Sequence, residues 1–236
     1  MEPPGDLMGY DRAITLFNPD GRILQVEYAK RTVSQGFAAV GLSGKECIVF
    51  VADRKAHELE KLVIPESIEK IFQIDLHIGA AISGMIADGR MLMDKAQNHA
   101  QEYKMTYNQP ADILLIVKGI SAEMQALTQY GGARPFGVSI LFGGIKDGKT
   151  YLYMLDPSGT FFQYKAIAIG GNSESINKAL EKEYKPEMDA ESLINLGMKV
   201  IKPDDSRNAP ERFEIAIIDG KGFRKLNKEE IAKYIK

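Results

Sequence analysis

Short apolar runs and longer amphipathic stretches alternate in blocks along this chain, and the period of the apolar positions changes from block to block. From Gly21 to about Val33, Ile23, Val26, Ala29 and Val33 recur at steps of three and four, which predicts a helix. Asp20 is placed to cap it, and Glu27 to pair with Arg31. "GFAAVGL" and "CIVFVAD", split by "SGKE", predict a hairpin, and "IEKIFQID" with "HIGAAISG" repeats that pattern around Asp75. From Met85 to Tyr107 the period turns helical: Ile86, Met93, Ala100 and Tyr107 fall a heptad apart, with Ala96 and Tyr103 beside them. A second helix follows Pro110, which suits a first turn, with Ile113, Val117, Ile120, Met124 and Leu127 on one face. The loop "YGGARPFG" leads into four strands, "GVSILFGGI", "TYLYMLD", "TFFQYK" and "AIAIGG". Helices are predicted at about 172–184 and 189–201, then the strand "RFEIAIID" and a closing helix in "NKEEIAKYI".

The order is strands, two helices, strands, two helices. Strands joined by short turns pair antiparallel. Two such groups separated by helix pairs predict two stacked antiparallel sheets with helices outside, a four-layer α/β/β/α sandwich preceded by an N-terminal helix. Residues 1–9, "MEPPGDLMG", carry no period and read as a tail. We divide the chain into an N-terminal segment and helix, 1–35, and one sandwich domain, 36–236, with no internal repeat.

Composition narrows the function. At 236 residues, 44% hydrophobic and 26% charged, the chain can bury a core without staples. A net charge of −2 without a basic run gives no reason to expect nucleic acid or an anionic membrane surface. The single cysteine, Cys47, lies in an apolar run and reads as a small buried hydrophobe; a chain with one cysteine fits a reducing cytoplasm. Neither a signal-peptide core in the first stretch nor an apolar run long enough to span a bilayer is visible, so a cytoplasmic protein is expected.

Candidate chemistry is sparse. His57, His77 and His99 share no ligand spacing with one another or with Cys47, so no metal is expected. "AIAIGGNSESI" runs strand, Gly170-Gly171, helix, but lacks a phosphate-loop pattern; a helix capped by Asn172 or Ser173 explains it, and no cofactor is expected. Ser83 and Ser139 have no nucleophile-elbow context and read as structural. Asp204-Asp205 and Glu229-Glu230 read as solvated faces. Lys70, in "PESIEKIFQID", leaves two readings: a strand lysine whose ammonium reaches solvent past apolar neighbours, or an anion-binding or tuned amine.

One stretch is far more specific. "YDRAITLFNPDGRILQVEYA", residues 10–29, resembles the N-terminal signature of proteasome α subunits, with Asn18 where that family usually has Ser. The resemblance continues through "VADRK", "SIEKI", "SGMIADGR" and "TQYGGARPFGVS", and more weakly to about residue 219; it is closest to the archaeal type. It implies the N-terminal-nucleophile hydrolase sandwich, and a chain that forms heptameric rings with copies of itself and caps rings of proteasome β subunits. The β nucleophile is an N-terminal Thr at the head of the first strand; Phe37 holds that place here, so no catalytic residue is expected. Asp53 and Lys70 match acidic and basic positions of the β active site. By position, the resemblance implies a gate at Tyr10, Asp11, Pro19 and Tyr28, which unfolded protein substrates pass in transit. It also implies a pocket at Lys70, Gly84, Met85 and Gly36 for the C-terminal tails of an AAA+ regulatory ATPase or other activator. Two rivals remain: an active N-terminal-nucleophile amidase, which needs a Thr, Ser or Cys that residues 36–40 lack, and a small-molecule enzyme built on the Gly170-Gly171 loop.

Overall fold

The computed structural model describes residues 15–54, 62–64, 67–201 and 210–235. Helix α1 (Leu24–Gln35) comes first and buries Val26, Ala29 and Val33, the predicted stripe. Its start differs from expectation. Asn18, not Asp20, organises the entry: Gly21 N donates to Asn18 O at 2.9 Å, and Arg22 N to Asn18 Oδ1 at 2.8 Å. This closes the 18–22 turn and moves the helix N-cap to Ile23, which makes no side-chain capping bond. Glu27 pairs with Lys30 at 3.6 Å, one residue short of Arg31.

Strands β1 (Ala39–Ser43) and β2 (Ile48–Asp53) form the predicted hairpin, followed by β3 (Ile71–Asp75) and β4 (Ile78–Gly84). Two long helices come next, α2 (Ile86–Tyr107) and α3 (Ile113–Leu127). The second strand group is β5 (Val138–Lys146), β6 (Lys149–Leu155), β7 (Phe161–Gln163) and β8 (Ala166–Ile169). Helices α4 (Ser173–Glu183) and α5 (Ala190–Ile201), strands β9 (Phe213–Asp219) and β10 (Gly222–Lys225), and α6 (Lys228–Ala232) complete the chain. All ladders are antiparallel, in two five-stranded sheets of order β10-β9-β2-β1-β8 and β3-β4-β5-β6-β7.

Three apolar layers separate the four structural ones. Along β2, Ile48, Phe50 and Ala52 point between the sheets with Ile71, Leu141 and Leu152, while Val49 and Val51 point to Leu193, Ile194 and Met198 of α5. The other sheet packs Ile82, Ile140 and Phe142 against Leu92 and Met93 of α2 and Ile116 and Ile120 of α3. A strand covered on both faces has no polar side to alternate with, which is why "CIVFVA" reads as an unbroken apolar run. The expected sandwich is therefore present.

Local departures have local causes. Tyr107 ends the α2 stripe 61% exposed, beyond the reach of the sheet. Pro110 lies ahead of α3 rather than in its first turn, and Asp112 caps the helix by accepting from Leu114 N at 2.8 Å. Asn172 holds the N-cap position of α4 in the left-handed region (φ 58°), without a side-chain capping bond. Asn177 instead reaches across the free edge of β8, its Oδ1 accepting from Ala168 N at 2.8 Å and its Nδ2 donating to Ala168 O at 3.5 Å. Asp204-Asp205 and His57 lie outside the described residues.

Candidate functional site

Four buried charged residues, Asp53, Lys70, Arg212 and Glu214, gather at one end of this fold, where α1 passes into β1. Lys70, just ahead of β3, is 2% exposed, which overturns the solvent-reaching reading. Its Nζ turns inward and donates to the carbonyls of Phe37 at 2.5 Å, Asp53 at 3.1 Å and Ala38 at 3.3 Å, partners enough for the three donors of an ammonium. Burial pushes its pKa down to about 7, against the pull of the Asp53 and Glu214 charges. Asp53, at the end of β2, is clasped by Arg212 through a two-point fork of 3.0 and 2.9 Å. Glu214 Oε2, on β9, accepts the backbone N–H of Lys70 at 2.9 Å and of Ile71 at 3.3 Å. The same carboxylate pairs with Arg54 at 3.2 Å and Lys225 at 2.8 Å.

Above Lys70 opens a cavity of about 280 Å³, lined by Gly36, Phe37, Gly84 and Met85 and by Ile82 and Ile86. Gly36, Lys70, Gly84 and Met85, far apart in sequence, thus line one space. Its depth depends on two bare backbones in contact. A Cβ on Gly36 would stand 2.5 Å from Gly84 N, and one on Gly84 (φ 114°) only 2.2 Å from Gly137 O. Ser83 adds a second donor to the Phe37 carbonyl at 2.7 Å.

Sequence reasoning named neither Asp88 nor Arg134, which stand behind the Met85 side of the cavity. Arg134 grips Asp88 through two bonds, Nη1 to Oδ2 at 2.6 Å and Nη2 to Oδ1 at 2.8 Å. Asp88 sits on the buried face of α2, an unusual place for a carboxylate, and that is the one signal that could have found it.

The remaining candidates separate. Pro19 stands exposed in the 18–22 turn and Tyr28 on α1, 46% exposed; Tyr10 and Asp11 lie outside the described residues. Gly171 N donates to Gly36 O at 2.7 Å, so that loop is tied to the α1–β1 joint. Cys47 is buried at the opposite end, its thiol pushed up to about 11 by burial and by Asp219, Asp189 and Glu46. Among the described residues no cluster of His, Cys, Asp or Glu could hold a metal ion, and no helix is long and apolar enough to cross a membrane.

Comparison with known proteins identifies the family. The family model described as "Proteasome subunit" covers residues 33–218, and the model of the N-terminal signature of A-type proteasome subunits covers residues 10–31. The chain is 44% identical over 229 residues to the proteasome alpha subunit of Thermococcus onnurineus, covering 96% of this chain and 87% of that protein. It is 45% identical over 229 residues to the Pyrococcus horikoshii protein of the same name, with the same coverage of each. The Methanosarcina acetivorans protein, also of that name, is 42% identical over 231 residues, covering 97% of this chain and 93% of the relative. The signature, the matched sandwich and these relatives together mean that the chain belongs to the proteasome α-subunit family.

Proposed function

We propose that this chain is a non-catalytic, cytoplasmic subunit that forms heptameric outer rings of the proteasome core with copies of itself and stands on rings of β subunits. The segment ahead of α1 gates the passage of unfolded substrates, and the Lys70 cavity takes the C-terminal tails of a regulatory ATPase or other activator.

Catalytic silence is supported by Phe37. A threonine mechanism needs a hydroxyl and the free α-amine of the same residue. Phe37 has no hydroxyl, and its backbone continues into α1 through Gly36. The observation that carries the docking reading is the convergence of Gly36, Lys70, Gly84 and Met85 on one cavity, apolar on its walls and cationic at its floor. A terminal carboxylate brings a full negative charge to an ammonium now held by neutral carbonyl dipoles, a recurring mode of peptide capture. For the gate, the Asp11 carboxylate and the Tyr10 and Tyr28 hydroxyls suit charge-assisted bonds across a subunit boundary. Pro19 fixes the turn from which the segment departs.

The test is reconstitution with a β subunit. Lys70→Ala should leave the assembled core unchanged by electron microscopy while stimulation of peptide hydrolysis by a carboxylate-tailed activator falls about tenfold or more. Unchanged stimulation would remove Lys70 from the site. Deleting residues 2–11 should raise hydrolysis without an activator; a latent truncated core would refute the gate. A chain that stays monomeric by mass photometry at every concentration would refute the ring.

A further inference from the structure

Gly84 and Met85 form one wall of the Lys70 cavity, where β4 ends: Gly84 closes the β4–β5 ladder opposite Val138, and Met85 stands beyond it. Gly84 is in the left-handed region and Met85, 41% exposed, is the N-cap of α2 without a side-chain capping bond. Beyond that ladder, what holds them comes from the 130–137 loop. Met85 N donates to Gly137 O at 2.8 Å, and Gly137 N donates to Asp88 Oδ2 at 2.9 Å. Arg134 closes the frame, its fork on Asp88 at 2.6 and 2.8 Å and its Nη2 at 3.1 Å from Met85 Sδ. Burial drives the Asp88 carboxyl upward, but the Arg134 bonds, the Gly137 N–H and the guanidinium charge outweigh it and keep it anionic. Gly137 is also where the loop meets α1: a Cβ there would lie 3.4 Å from Thr32 Cγ2 and 3.6 Å from Met85 Cβ.

The geometry points to Asp88 and Arg134 as positioning residues for tail docking: their two-point clasp sets the Gly84–Met85 wall against which the apolar part of an incoming C-terminal peptide packs. This inference rests on the docking reading above and adds the element that gives the cavity its shape, as Lys70 gives it its charge. A guanidinium–carboxylate fork fixes distance and angle together, which a single ammonium bond does not. Neither residue lines the cavity itself, so their effect reaches the ligand only through Met85 and Gly84.

The experiment measures binding of a fluorescent octapeptide with apolar residues at its last three positions, as the free acid and as the C-terminal amide, to the core assembled with β subunits. Lys70→Met should reduce the acid-to-amide affinity ratio to one. Arg134→Ala and Asp88→Asn should each weaken both peptides about tenfold and leave that ratio at the wild-type value, because the ammonium is untouched. Combining them should cost no more than the worse single change, since the two act as one unit. Arg134→Lys keeps the charge and loses the fork; it should weaken binding about threefold and speed hydrogen exchange at the Met85 and Gly137 amides. It serves as the reading if the alanine variant does not fold. Wild-type affinity in Arg134→Lys and Asp88→Asn would overturn the clasp while leaving the Lys70 result standing. A ratio that falls in Arg134→Ala would also overturn it, by making Arg134 a direct ligand of the carboxylate. A wild type that binds acid and amide alike would remove the docking reading, and the clasp with it.

Discussion

The two ends of the sandwich are built on opposite principles. At the α1–β1 end the backbones touch, the carboxylates of Asp53 and Glu214 are buried against paired cations, and the cavity is about 280 Å³. At the far end the β1–β2, β5–β6 and β9–β10 turns leave a larger space of about 660 Å³, lined by Lys45, Cys47, Gly148, Met188 and Asp219. Its charged residues Lys45, Glu46, Glu187, Asp189 and Lys221 are exposed. A void between turns needs no explanation beyond the turns failing to meet. A buried lysine opening onto a small cavity does, because removing its charge from water costs free energy that only specific partners offset. Cavity size and burial of charge thus point to different ends of the molecule.

Glycine substitution tests that contrast most severely. Gly84→Ala meets Gly137 O at 2.2 Å at a φ of 114° and should cost about 3 kcal/mol or more in chemical denaturation. Gly148→Ala shares the positive φ, at 71°, but has nothing within 4 Å, so only the backbone penalty of about 1 kcal/mol remains. Equal losses would mean that the two ends do not differ in packing. Next in size, Asp53→Asn leaves Arg212, 2% exposed, without its counter-charge and should cost about 3 kcal/mol. Glu174→Gln, in the exposed Lys178 pair of α4, should leave the denaturation midpoint where it was.

The pH dependence is the most diagnostic. Lys70 titrates at about 7 in the fold and near its ordinary 10.5 when unfolded. Between those values the unfolded chain holds the extra proton, so this residue makes the fold more stable as pH rises from 7 towards 10, by at most about 1.4 kcal/mol per pH unit. Lys70→Met should remove that slope, and an identical slope in the variant would place the titration elsewhere. Peptide docking should move the other way, weakening above pH 7 as the ammonium is lost. Cys47 at the far end, pushed up to about 11, has no such response near neutrality; its alkylation at pH 8 should be on the order of a hundredfold slower than that of a free thiol.

Much of the fold was legible because both faces of most strands are covered, so the runs in β2, β4 and β5 are mostly apolar and hard to mistake. β10 went unseen. It is four residues long with two exposed, and Asp219-Gly220 was the hairpin signal that could have revealed it. The helix entry was misplaced because Asp20 and Asn18 are both good turn residues, and only the closed turn shows which side chain bonds. At the site, Lys70 stood out from its own neighbours, whereas Gly36, Gly84 and Met85 were named only through a family resemblance; no periodicity joins the four, since a sheet brings together residues with no regular spacing. Lys70 itself misled, because apolar neighbours suggest a snorkelling lysine unless three carbonyls are known to lie beneath it. Asp88 and Arg134 were missed for the same reason, a pair whose partner lies across a helix and a loop.

Asn177 on α4 has a consequence beyond the fold that holds it. By bonding both the N–H and the C=O of Ala168, it acts as a one-residue surrogate for a missing sixth strand. The edge of β8 is thereby blocked at Ala168 against templating, the route by which one sheet recruits another into an aggregate. In the ring proposed above, where copies of the chain would stand side by side, local concentration would be high, and an unsealed edge would be a standing invitation to the wrong pairing. Damage at Asn177 would therefore surface first as loss of solubility in the purified chain, while its melting curve stayed near normal.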